Sequence, residues 1–289
     1  MDCDMKPAPF AYEKPGTMAE LFGLLAEHGA DAAILAGGQS LMATMNMRLS
    51  APEILVDING LKELSGISVS ADKLSIGALT RHCDVASSED VAARVPLIHL
   101  AMPYVAHAAI RNRGTFGGSV ALADPASEIP ACMVCLDGEI EITGAMGVRC
   151  VPAATYFKGL YETDLQEGEI VTAVHVPVLG DGERHAFDEI TRRHGDYAMA
   201  GLAASASVSG TTLSNVRLAY FGVAGTPVLA IKASAALEGT INDACISAAQ
   251  NALDSDLDPF DDIGCSAATK LHLAKVLLDR VVRRLVAVQ

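Results

Sequence analysis

Two glycine-paired segments, Ala36-Gly37-Gly38-Gln39-Ser40 and Thr115-Phe116-Gly117-Gly118-Ser119, lie eighty residues apart (37 to 117) in a chain of 289. Each combines bare backbone amides with hydroxyls, from Ser40 in the first and from Thr115 and Ser119 in the second. These donors can hold a pyrophosphate without a cluster of cations. The spacing is not that of a Rossmann dinucleotide site: there is no G-x-G-x-x-G, and no acidic residue about twenty positions on is placed to take a ribose.

Other chemistry is thinly represented. His28, His82, His99, His107, His175, His185, His194 and His272 have no neighbours in sequence that read as a general-base triad. Cys132 and Cys135 form one C-x-x-C inside the apolar run Ile129 to Leu136, which reads as a helical face with core thiols rather than as a metal or redox pair. Arg111 and Arg113, just before the second loop, can offset diphosphate charge or clamp carbonyl groups. Neither a catalytic residue nor a metal ligand is assigned.

Composition narrows the class. The chain is 51% hydrophobic and 19% charged, a globular balance, with a net charge of −14. Without a Lys/Arg-rich run, such a chain is not built for nucleic acid or an anionic membrane surface. Met1 to Tyr12 has no signal-peptide apolar region, and no eighteen apolar residues run without a charge, Gly or Pro. Seven scattered cysteines, an odd number, read as reduced thiols in a cytoplasmic protein.

Periodicity supplies the elements that must position the loops. Thr17 is placed to cap a helix carrying Met18, Leu21, Phe22, Leu24 and Leu25, ending near His28-Gly29. Ala32 to Leu35 reads as a buried strand, Ser40 as the cap of a helix with Leu41, Met42, Met45 and Leu49, and Ile54 to Ile58 as the next strand. The first glycine pair thus sits at a strand's carboxyl end. Gly66 to Ser70 and Lys73 to Gly77 form a hairpin pattern about Ala71-Asp72. Thr80 to His107 is helical, interrupted by Pro96 and Pro103. Glu139 to Ile142 and Gly168 to Val176 read as strands, and Pro177 to Glu183 as a boundary between units. The last third has strands at Ala203 to Val208 and Leu213 to Phe221, then helices at Val228 to Leu237, Ile241 to Leu253 and Ala267 to Val288. The basic last turn of that final helix, with Arg280, Arg283 and Arg284, reads as dipole and surface complementation or a subunit contact.

Four blocks, in order, resemble the flavin-binding medium subunit of the molybdenum hydroxylases. They are Leu35 to Leu41 with Arg48 to Pro52 and Leu55 to Ile58; Ile110 to Ser119 with Ala123 to Pro130; Gly195-Asp196-Tyr197-Ala198; and Phe221 to Pro227. The resemblance covers nearly the whole chain. It implies an α+β fold: a two-lobed FAD-binding domain of the vanillyl-alcohol-oxidase (PCMH) type over 1–177, with lobes of about 1–58 and 59–177. A C-terminal α+β domain of antiparallel sheet and helices then spans 178–289.

It also implies the site. Ala36, Gly37, Gly38, Gln39, Ser40 and Leu41, with Thr115, Phe116, Gly117, Gly118 and Ser119, would wrap the FAD pyrophosphate and neighbouring oxygens. Glu128 stands where the family places a carboxylate near the ribose or adenine, and Asp124 is a second carboxylate that is equally a turn residue. Tyr197 matches an aromatic beside the isoalloxazine ring. Met199 stands where the animal xanthine dehydrogenase branch carries lysine, and Gln39 where some relatives carry histidine. The implied partners are a small [2Fe–2S] subunit and a large molybdopterin subunit in a dimer of heterotrimers. A free-standing flavin oxidase of the same fold is the alternative; no His or Cys for a covalent tether lies in either glycine loop.

Overall fold

The computed structural model describes residues 6–287, which form three larger sheets with their helices and one separate two-stranded sheet. Around the first loop, β1 (Ala11–Glu13), α1 (Met18–His28), β2 (Ala32–Leu35), α2 (Leu41–Asn46) and β3 (Ile54–Asp57) build a parallel sheet of order β1-β3-β2. Thr17 caps α1 by accepting from the Glu20 amide at 3.2 Å, and Leu21 and Leu25 bury its inner face. All four residues of β3 are buried, Ile54 and Val56 in one cluster with Leu21 and Leu25 of α1. The short β1 has no alternating pattern and was legible only through its pairing.

The next unit runs through β4 (Ile67–Val69), β5 (Lys73–Gly77), α3 (His82–Ser87), α4 (Glu89–Arg94), α5 (Pro96–Ala101), α6 (Ala108–Arg111), α7 (Phe116–Leu122) and α8 (Glu128–Cys135). It continues with β6 (Glu139–Gly144), β7 (Gly147–Pro152), α9 (Ala153–Tyr156), β8 (Phe157–Gly159), β9 (Glu162–Thr163) and β10 (Ile170–Pro177). Here the sheet is antiparallel, of order β4-β5-β10-β6-β7. Leu74, Ile76, Ile140, Ile142, Val174 and Val176 are buried under the helices, while the alternate residues face outward, as the two-residue period of a strand requires. Pro96 opens α5 rather than breaking a helix, since the first helical N–H has no intrahelical acceptor to lose.

In the C-terminal unit, β11 (Glu183–Thr191), β12 (Ala198–Ser209), β13 (Thr212–Phe221) and β14 (Val228–Leu229) form an antiparallel sheet, with β15 (Gly239–Thr240) also on β13. Three helices, α10 (Ile231–Ala236), α11 (Asp243–Asp256) and α12 (Ala267–Val286), accompany it. The helix expected from Val228 begins only at Ile231, because Val228 and Leu229 pair with Tyr220 and Ala219. That expected from Ile241 begins after its cap Asn242. Val288, the expected end of the last helix, lies outside the described residues.

Helices α5 and α8 join the second unit to the C-terminal one, α5 through the Leu97 amide donating to His185 at 3.1 Å. All eight residues of α8 are buried, and Arg217 of β13 donates to the Cys135 and Val134 carbonyls at 2.7 and 2.9 Å. Both carbonyls lie in the last turn of α8, where no intrahelical donor at i+4 is available, and the Asp137 amide also reaches Val134 at 3.4 Å. Cys132 and Cys135 are therefore enclosed thiols; burial pushes Cys132 well above the ordinary thiol value and Cys135 up to about 12. The arginines of α12 serve neighbouring elements more than the helix dipole. Arg284 donates to the Phe187 carbonyl at 3.0 Å and to Asp188 at 2.9 Å, and Arg283 bridges Asp279 and Asp243.

Candidate functional site

The first loop leaves β2 at the carboxyl end of the parallel sheet, and Gly38 turns it with φ of +70°, a conformation glycine adopts without Cβ strain. Among the described residues, no acceptor takes the amides of Gly37, Gly38, Gln39, Ser40 or Leu41. Five such donors in succession form a concave cradle for an anionic oxygen. Ser40 differs from its sequence reading: it precedes α2 without a capping side-chain bond, so its hydroxyl is not committed to the helix.

The second loop is built otherwise. Thr115 caps α7 by accepting from the Gly118 amide at 3.2 Å, the Phe116 amide bonds Thr80, the Gly117 amide bonds Ala78, and the Ser119 amide bonds the Thr115 carbonyl. Its amides are thus mostly engaged within the chain, and only the Thr115 amide matches the bare donors expected from the sequence. Its glycines have a different use. A Cβ on Gly117 would lie 2.4 Å from the Ala78 Cβ, and one on Gly37 would lie 2.6 Å from the Arg113 carbonyl and 2.8 Å from Gly114. Gly37 therefore lets the two loops meet backbone to backbone. Phe116 points away from the ligand side: it is fully buried, in ring contact with His82.

A polar bridge fixes this meeting. The Asn59 side chain donates to the Ala36 carbonyl at 2.8 Å and accepts from Arg81 at 2.6 Å, while Arg81 also donates to the Arg113 carbonyl. Asp57 holds Asn59 through its amide at 2.9 Å. Burial would raise the Asp57 carboxyl, yet hydrogen bonds from Tyr12 and Asn59 and the charge of Lys14 keep it below the ordinary carboxylate value. Sequence reading missed Asn59 and Arg81; the only local trace is Asp57-Ile58-Asn59 directly after a buried strand. Arg111 takes the clamp role, donating to the Val105 and Ala106 carbonyls at 2.9 and 2.8 Å.

The loops open into a cleft of about 520 Å³ lined from all three units. Ala36, Gly37, Gly38, Gln39, Ser40, Leu41, Thr115, Gly117, Gly118, Ser119, Asp124, Glu128 and Tyr197 all reach it. His82, also in its wall, is buried, with Nε2 3.0 Å from the Ser119 hydroxyl and Nδ1 unpartnered. Burial, with Arg111 and Arg81 nearby, lowers its pKa to about 4, so the imidazole is neutral near pH 7. Asp124 is both turn residue and wall: one oxygen accepts from the Ala126 amide at 2.9 Å, the other from the Tyr161 hydroxyl at 3.1 Å. Glu128 is pushed up to about 7 by burial, against the pull of its own amide and with Asp124 adding to the rise. Tyr197 stands 66% exposed at the rim, on the turn that brings the C-terminal unit to the cleft.

Comparison with known proteins accounts for this arrangement. Residues 8–179 match the family described as the FAD binding domain in molybdopterin dehydrogenase, and residues 185–285 match the CO dehydrogenase flavoprotein C-terminal domain. The glyceraldehyde dehydrogenase medium chain of Sulfolobus acidocaldarius is 36% identical, covering 94% of this chain and 97% of its own. The carbon monoxide dehydrogenase medium chain of Hydrogenophaga pseudoflava is 35% identical, covering 96% of each chain. Two solved structures superpose with a TM-score of 0.93: carbon monoxide dehydrogenase from Hydrogenophaga pseudoflava, 37% identical over 96% of this chain and 97% of its own, and quinoline 2-oxidoreductase from Pseudomonas putida 86, 38% identical over 97% and 98%. The chain belongs to the FAD-binding medium subunits of the molybdenum hydroxylases, an FAD-binding domain followed by a C-terminal domain of the carbon monoxide dehydrogenase flavoprotein type.

Proposed function

We propose that this chain is the FAD-holding electron-transfer subunit of a heteromeric molybdenum hydroxylase. Its partners in that reading are a small subunit with [2Fe–2S] clusters and a large subunit with the molybdopterin cofactor, assembled as a dimer of heterotrimers in the cytoplasm. The unit boundaries in this reading are 1–58, 59–177 and 178–289. The observation that carries the proposal is the run of five unengaged amides from Gly37 to Leu41, held against Gly114 and Thr115 at the head of a three-sided cleft.

These residues fit an extended dinucleotide. Gly37 to Leu41 would donate to the pyrophosphate, and the Ser40, Thr115 and Ser119 hydroxyls would add bonds. Asp124 and Glu128 would accept from sugar or base donors, and Tyr197 would cover the ring end. Bound FAD supplies exchange of electrons singly or as a pair, which connects one-electron clusters with an external acceptor. Hydroxylation of substrate belongs, in this reading, to the large subunit.

The test is co-expression with the two partner reading frames, followed by flavin quantitation and anaerobic substrate addition. About one FAD per chain, reduced by substrate only in the complete complex, is the expected result. A complex that turns over substrate with this chain free of flavin would exclude the reading.

A further inference from the structure

Away from the cleft, the outward face of the antiparallel sheet brings together three side chains far apart in sequence. Glu141 of β6 lies directly opposite Cys150 of β7, and His175 of β10 pairs with Glu139, one diagonal step from Glu141. Residues opposite one another on antiparallel strands share a face. The Glu141 carboxylate, the Cys150 sulfur and a His175 ring nitrogen all lie within 4.8 Å of one another.

Their neighbours hold two of them in place. His175 Nδ1 is 2.7 Å from the Ser75 hydroxyl, while Nε2 faces Glu141 at 3.3 Å. The Thr172 hydroxyl donates to the other Glu141 oxygen at 2.6 Å and lies 3.0 Å from Thr143. The Ser75 hydroxyl holds the ring in orientation, and with Nδ1–H donating to it, Nε2 carries the lone pair that can coordinate. The Cys150 side is open to solvent, and Lys73 of β5 pairs with Glu139 at 3.5 Å.

We propose that Glu141, Cys150 and His175 bind one zinc-class divalent ion, with water as the fourth ligand. One sulfur, one imidazole and one carboxylate suit a borderline-soft tetrahedral ion better than magnesium or calcium, which take oxygen ligands. On binding, the Cys150 thiol gives its proton to solvent, the sulfur–metal bond replaces the S–H bond, and nothing is oxidised. The ion would brace β7, an edge strand of this sheet, through β6 to β10.

The test uses the full-length, flavin-loaded chain after chelator treatment, titrated with Zn²⁺ by calorimetry and with Co²⁺ by absorbance difference. One ion per chain is expected, with affinity at least about tenfold weaker in C150S and in H175Q. Co²⁺ should give tetrahedral d–d bands and a thiolate charge-transfer band that C150S abolishes, and Zn²⁺ should raise the melting temperature of the parent but not of C150S. Cys150 is exposed, so C150S keeps its fold, and unchanged flavin content verifies this. Equal affinity in the parent and C150S, or a Co²⁺ spectrum without a thiolate band, would overturn the proposal.

Discussion

Arg81 sits between the two glycine loops without facing the cleft, and its contribution is positional. It closes the chain from the Ala36 carbonyl through Asn59 to the Arg113 carbonyl. Replacing it with methionine, of similar length, leaves the Asn59 oxygen and the Arg113 carbonyl short of a donor. Hydrogen bonds to charged groups contribute about 1.5–3 kcal/mol each, so R81M is expected to weaken FAD retention by about tenfold or more. Dialysis against flavin-free buffer with fluorescence of the released FAD measures this; retention equal to the parent's would remove the bridge from the account. Tyr197 gives the opposite profile. At 66% exposed it contributes little to folding, and Y197A is expected to shift melting within about 0.5 kcal/mol while changing the flavin's reduction potential and fluorescence. An unaltered potential in Y197A would separate this residue from the ring.

At the level of elements, the C-terminal sheet depends on a glycine beneath an aromatic ring. Gly201 of β12 is paired with Phe221 of β13, and a Cβ there would lie 2.0 Å from the ring. Phe221 in turn stacks on Phe187 of β11 at 5.7 Å between centroids. The ring covers the bare backbone of the strand and cannot move without disturbing β11. We expect G201A to destabilise the chain by about 1–3 kcal/mol, the usual range for overpacking a filled core, seen as a lower denaturant midpoint. Much of this level was legible beforehand: the period-two strands β6, β10 and β13, the hairpin of β4 and β5, and α1 with its Thr17 cap all follow local patterning. Among the missed strands, β1, β7 and β11 have weak alternation, and β8, β9, β14 and β15 are too short to show any, because neighbours in space, not in sequence, decide their pairing.

For the molecule as a whole, two carboxyls near the junction of the units carry a pH dependence. Glu189 of β11 is raised to about 9 by burial, then by the nearby Glu128 and Asp188, and has one buried oxygen without a partner; Glu128 is raised to about 7. Both folded values lie above the unfolded value of 4.5. The folded chain therefore keeps protons that the unfolded chain has released, and stability is fully present below pH 4.5 and lost as pH rises through 7 and then 9. E189Q, which cannot ionise, should flatten the decline of melting temperature between pH 5 and 9 and raise it at pH 9 by about 2–4 °C per kcal/mol recovered. A pH slope identical to the parent's would show that Glu189 titrates normally.

The sequence by itself determined where the backbone lacks side chains and which short runs alternate or repeat, since these are properties of neighbouring residues along the chain. That sufficed for the two loops, most of their supporting elements and the family resemblance. It did not determine what each glycine is for: Gly38 is needed for its positive φ, whereas Gly37 and Gly117 are needed because another backbone passes there. Nor did it show that the second loop's amides are largely engaged, that Phe116 faces the core, or that Asn59 and Arg81 join the loops. The triad of Glu141, Cys150 and His175 was equally invisible, because strand register alone brings positions 141, 150 and 175 to one face. Hydrogen-bond partners and shared faces arise only when segments distant in sequence are packed together, and that packing is the step the tertiary structure decided.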